Sequence, residues 1–238
     1  MKTSLSPLVL AAGLLLAATT THAQDAPIMA LDPTLMAGWT GNVGNAMVHP
    51  STAGASRPAA KAATASFAYT ATPALQQQTV ATAAKRLQAT DAAAAKELTA
   101  AFAPGKSDYA ALYRGMLKDT GLRENDAADA LACYLVTGYQ IVSGLTGDHD
   151  ISPAQNRGAR AQVAAVLAGN PQLGTAAARA QLGEEFKLQT VLLGSAWVGA
   201  VKAGTQAAYR ESVVALFKNQ YQMDMTQMQL TAQGFTKK

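Results

Sequence analysis

The sequence predicts an all-α fold, a single bundle of about six to seven helices, and three observations predict it. From about residue 70, alanine-rich segments carry apolar residues at helical spacing. Helix punctuation separates these segments: Thr72-Pro73, Pro104-Gly105, Ser152-Pro153 and Gly169-Asn170-Pro171. No run shows strand alternation bounded by hairpin turns. The expected layout is an export signal over 1–23, a flexible lead over 24–69, and a helical bundle over 70–238 that ends in a C-terminal clasp.

Each element has its own reason. Thr72 caps the first helix and Pro73 occupies its first position, where a missing N–H costs nothing; Val80, Ala84 and Leu87 follow at helical spacing. Thr90 or Asp91 caps the second, which Pro104-Gly105 stops after Leu98 and Phe102. Ser107 is the expected cap of the third, with Tyr109, Leu112, Tyr113, Met116 and Leu117 as its stripe and Gly121 as its left-handed end. The fourth runs to about Ser143, with Ala127, Leu131, Tyr134, Gly138, Ile141 and Leu145 on the buried face. Ser152-Pro153 opens the fifth, Thr175 a long sixth through Ala203, and Thr205 a seventh through about Tyr221. The sixth is the most apolar, but Gln189, Thr190 and Lys202 leave it well short of the roughly 20 apolar residues that span a bilayer. It is therefore read as the central core helix, with Ser195, Gly199 and Ala203 as a flat ridge for a neighbour.

The N-terminus reads as an export signal. Lys2 precedes the apolar run PLVLAAGLLLAA, and Thr21-His22-Ala23 offers a small-x-small cleavage site. That run is about 12 residues, too short to cross a membrane, and Gln24 leaves no cysteine there for a lipid. The expected destination is the periplasm or the exterior, with no transmembrane segment in the mature chain. The lead over 24–69 is rich in Ala, Gly, Pro, Ser and Thr, with one local anchor at Trp39.

The formal net charge is +4, of which Lys2 leaves with the signal. Lys85-Arg86, Arg157, Arg160, Arg179 and Lys237-Lys238 are dispersed, so no nucleic-acid partner is expected. One cysteine, Cys133, makes no internal disulfide, and the core must hold the fold. After cleavage only His49 and His149 remain, and no phosphate loop, serine elbow or paired-cysteine motif occurs. No metal and no cofactor are expected.

Three clusters of acids are candidates for chemistry. GLRENDAADALACYLV, residues 121–136, gathers Glu124, Asn125, Asp126 and Asp129 ahead of Cys133. Asn125 or Asp126 as cap, with Asp129 in the place of a capping-box acid, explains these residues without catalysis. If the protein is an enzyme, Asp129 and then Asp126 are the expected catalytic carboxylates. Cys133 reads as a small buried apolar residue. In GDHDIS, residues 147–152, Asp148 and Asp150 resemble the first ligands of a calcium loop, but Pro153 and Ala159 stand where glycine and glutamate are required. Glu184-Glu185 with Lys187 is expected to be an exposed helix flank, because adjacent helical residues diverge by about 100°.

Two motifs carry a likeness. Gly121, Leu122, Asn125, Ala128, Asp129 and Ala130 mid-chain, with Leu230, Thr231, Gly234 and Phe235 at the end, resemble an uncharacterised family of exported bacterial helical proteins. The likeness covers roughly residues 70–238 and implies no activity or cofactor. Read physically, Gly234 permits a tight turn that lets Leu230 and Phe235 dock on the bundle as a clasp. The functional expectation is an exported, non-enzymatic binding or assembly module, with an unknown envelope protein as partner. The alternative is a carboxylate-dependent hydrolase acting on envelope glycans or peptides.

Overall fold

The computed structural model describes residues 66–147 and 150–238. The export signal, the anchor at Trp39, His49, Asp148, His149 and most of the lead lie outside the described residues. Among the described residues there are seven α-helices and one two-stranded sheet. They are α1 (Pro73–Gln88), α2 (Ala92–Ala101), α3 (Tyr109–Met116), α4 (Ala127–Ser143), α5 (Pro153–Ala168), α6 (Ala176–Ala203), α7 (Gln206–Tyr221), β1 (Met228–Thr231) and β2 (Gly234–Lys237). The all-α bundle is what the alanine-rich periodicity called for.

Side-chain caps set most helix starts. Thr72, Asp91, Ser152 and Thr175 each accept a backbone N–H of the turn they precede, and Ser152 forms a reciprocal capping box with Gln155. The cap of α3 is Asp108, not Ser107: its carboxylate accepts from Ala110 N at 2.8 Å. That helix also ends at Met116, so the left-handed Gly121 closes a following turn rather than the helix itself.

α4 and α6 form the axis of the bundle, and α1, α3 and α7 pack on α6. Tyr134 of α4 sits among Phe186 of α6 and Phe217 and Tyr221 of α7, with ring centroids 5.3, 5.4 and 6.0 Å away. Such offset aromatic pairs add about 0.5–1.5 kcal/mol each beyond the area they bury. α6 is buried on all sides from Leu182 to Val191, as its composition requires. Of the expected small-residue ridge, Ser195 and Gly199 are buried and Ala203 is exposed. The Tyr69 ring lies over Gly183, where a Cβ would come within 2.2 Å of it.

The lead is docked at its end. Phe67 is buried, and residues 67–69 run antiparallel to the start of α4, with Ala127 N donating to Phe67 O at 3.1 Å and Tyr69 N to Asn125 O at 3.0 Å. The flexible lead expected through residue 69 is thus already fixed at Phe67.

Residues 228–237 form a hairpin, a strand pair that helical periodicity does not predict. Leu230 pairs with Phe235 and Thr231 with Gly234. Met228, Leu230 and Phe235 are buried against the bundle.

Candidate functional site

The strongest concentration of polar side chains is the junction ahead of α4, residues 123–129, together with the stretch of α6 that faces it. Asp126 is the N-cap of α4. It is wholly buried, and its Oδ1 accepts from Ala128 N at 3.0 Å and Asp129 N at 3.2 Å. Its Oδ2 accepts from Phe67 N at 2.9 Å and pairs with an Arg123 nitrogen at 2.8 Å. One carboxylate therefore begins a helix and anchors the docked strand.

Asn125 does not cap. Its Oδ1 points away from the helix and accepts from Lys187 Nζ at 2.6 Å. Asp129 does not close a capping box either, because its oxygens are taken elsewhere. Oδ2 accepts from Arg123 N at 3.1 Å and Arg123 Nε at 2.6 Å, and Oδ1 from Arg160 Nε of α5 at 3.0 Å. Burial first, and the neighbouring Asp126 carboxylate, push the Asp129 carboxyl above its ordinary value against the pull of both guanidinium groups. Two carboxylates and two arginines make a charge-balanced cluster of short, charge-assisted hydrogen bonds. Arg123 is the partner that meets solvent, with its side chain 52 % exposed. Glu124 faces outward to a two-pronged pair with Arg114 of α3, at 2.9 Å for both nitrogens, and that pair holds its carboxyl below the ordinary value.

Glu184, Glu185 and Lys187 are not an exposed flank. All three are buried inside the bundle. Glu184 Oε1 accepts from Lys187 Nζ at 2.7 Å and from the Tyr69 hydroxyl at 2.8 Å, while Oε2 accepts from the Tyr109 hydroxyl at 2.6 Å. Lys187 Nζ also lies 5.2 Å from the Tyr69 ring and 5.8 Å from the Tyr113 ring, where the ring faces attract a cation. Glu185 diverges from Glu184 as helical geometry demands, and meets Arg86 of α1 and Gln189. Burial chiefly, and then the Glu184 carboxylate, hold the Tyr69 and Tyr109 phenols above the ordinary tyrosine value. The signal for this cluster was present in the sequence: charges in the most apolar helix have no open side to turn to, so they must bring partners inward.

Cys133 is buried, and burial pushes its thiol up to about 12, so it is no thiolate nucleophile at neutral pH. Asp150 accepts from Gly147 N at 2.7 Å, closing its own loop. Among the described residues, no group of three or more His, Cys, Asp and Glu side chains is placed to hold a metal ion. No described helix is long and apolar enough to cross a membrane.

The C-terminal residues Leu230, Gly234 and Phe235 lie on α5. The outward backbone groups of the Leu230–Phe235 pair are taken by two glutamines seven residues apart on one face of that helix. Gln155 Nε2 donates to Leu230 O at 2.8 Å; Gln162 donates to Phe235 O at 2.8 Å and accepts from Phe235 N at 2.7 Å. The turn rests on Gly158, where a Cβ would fall 2.5 Å from Ala232 O and Gly234 N. Compared with known proteins, the chain matches no family model, no curated protein and no solved structure.

Proposed function

We propose that the protein is an exported, non-enzymatic helical module of the bacterial envelope that acts by binding or assembly. One observation supports this above the rest. The acids best suited to catalysis, Asp126 and Asp129, spend their oxygens on backbone N–H groups and on Arg123 and Arg160 within the fold. A general acid or base needs an atom free to meet substrate. The N-terminal run over 1–23, read as an export signal, supplies the location. Membership in the uncharacterised exported family that Gly121, Asn125, Asp129 and Phe235 suggest belongs to the same reading and adds no activity. Crosslinking in the native envelope followed by capture of the protein tests the proposal. A reproducible envelope partner, or a defined assembly of this chain, is the expected result; recovery as an uncrosslinked monomer would overturn it.

A further inference from the structure

Lys187 and Glu184 have no exposed surface, and both Asn125 Oδ1 and Glu184 Oε1 lie within 2.7 Å of Lys187 Nζ. An amine, a carboxamide and a carboxyl group are thereby brought together, the amine lying against the rings of Tyr69 and Tyr113. Tyr69 and Tyr109 each donate a hydroxyl to Glu184 and fix its orientation. We propose that this trio is a self-modification site, at which the Lys187 amine condenses with the Asn125 carboxamide into an intramolecular isopeptide bond joining the start of α4 to α6. The inference is independent of any binding role.

The geometry is that of reactants. With Nζ 2.6 Å from Oδ1 and a C=O bond of about 1.23 Å, Nζ lies no more than about 3.8 Å from Cγ, close to the roughly 3–3.5 Å of a near-attack arrangement. The proposed step begins with one proton passing from Nζ to Glu184 along the 2.7 Å hydrogen bond between them. The neutral amine then attacks Cγ, and the carbonyl electron pair moves to Oδ1. Glu184 gives its proton to Nδ2 and takes one from Nζ, so it ends as the carboxylic acid. The carbonyl re-forms, the Cγ–Nδ2 bond breaks, and ammonia leaves; the Cγ–Nζ bond is the one made. No oxidant, reductant or cofactor enters the balance. Asn125 is only half-buried, which gives the ammonia a way out.

The test is peptide mapping by mass spectrometry on the full-length protein isolated from its own cell. The expected result is a branched tryptic species joining residues 124–157 to 180–202, lighter by one ammonia than the two together, with no cleavage after Lys187. Linear peptides that account for all of Asn125 and Lys187 would overturn the proposal. Whole-chain mass is not sufficient, because an N-terminal Gln24 loses ammonia on cyclising. In Asn125→Ala the branched species must vanish; its persistence would place the bond elsewhere and refute the assignment. In the folded fraction of Glu184→Gln, the two fragments are expected to stay separate, and full conversion there would remove Glu184 from the chemistry.

Discussion

Replacing Asp126 separates an architectural carboxylate from a catalytic one. In Asp126→Ala two structural roles are lost together. The cap of α4 disappears, which costs about 0.5–2 kcal/mol. The Phe67 N–H, now 2.9 Å from Oδ2, is left buried without an acceptor, a penalty of about 1–3 kcal/mol. The pair with Arg123 adds little, since that side chain is half in water. The sum is about 1.5–5 kcal/mol, and at roughly 2–4 °C per kcal/mol for a domain of this size the melting temperature should fall by about 3–20 °C. Asp126→Asn should be milder. Its amide oxygen still caps Ala128 and Asp129, but its NH2 group faces the Phe67 N–H and cannot accept from it, so only the second penalty, about 1–3 kcal/mol, remains. Calorimetry ranks the variants, and amide hydrogen exchange assigns the losses. Protection at Phe67 should fall in both, and protection at Ala128 only in the alanine variant. A melting temperature within a degree of wild type for Asp126→Ala would refute the reasoning, as would equal losses in the two variants.

Other expectations follow from the same contacts. Deleting residues 229–238 removes buried Leu230 and Phe235, each worth about 1.5–3 kcal/mol before ordering costs, and should lower the melting temperature; an unchanged value would mean that the hairpin does not clasp the bundle. Gly158→Ala, which in an open helix gains about 0.5–1 kcal/mol, should here destabilise, because the new Cβ meets hairpin backbone at 2.5 Å; a gain in thermal stability would contradict that packing. Burial chiefly raises the phenols of Tyr69, Tyr109, Tyr113, Tyr134, Tyr209 and Tyr221 above their ordinary value of 10.0. A raised folded-state value means that the stabilisation is complete below the unfolded value and is lost as pH rises through the folded one. Each such phenol therefore removes about 1.4 kcal/mol per pH unit above pH ~10, until the chain unfolds. Ultraviolet titration should show these buried phenols ionising in one cooperative step with unfolding; their smooth ionisation in a folded chain would be the contrary result.

The helices were legible because their signals are local. Thr72-Pro73 and Ser152-Pro153 carry cap and first-turn chemistry within a few residues, and both start helices where expected. The hairpin was not legible, although Met228, Gln229 and Leu230 do alternate buried and exposed. Four residues are too short a run to stand out from chance alternation, and its two-residue turn, Ala232-Gln233, lacks the asparagine-glycine pair that marks tight hairpins. Its backbone is completed by Gln155 and Gln162 of α5, more than 70 residues earlier in the chain. The polar site divides in the same way. Asp126 as cap is a local fact. Asn125 meeting Lys187, 62 residues on, and Glu184 meeting Tyr69, 115 residues back, are products of tertiary packing that no spacing rule contains.

Those distant pairings give the junction ahead of α4 its place in the fold. Within seven residues, Arg123 to Asp129, the chain reaches four other elements of the fold. Glu124 binds Arg114 of the α3 helix, Asn125 binds Lys187 of α6, Asp126 binds the docked strand at Phe67, and Asp129 binds Arg160 of α5. Apolar packing alone is tolerant of sliding, because alanine-rich helices offer many similar grooves. Buried polar contacts are less tolerant: a helix shifted by one turn, about 5.4 Å, would part Asp126 from Phe67, Asp129 from Arg160 or Lys187 from Asn125, and each buried group left without its partner costs about 1–3 kcal/mol. One cysteine provides no internal disulfide, so these polar contacts and the aromatic cluster around Tyr134 are the links that tie the alanine-rich helices to one another.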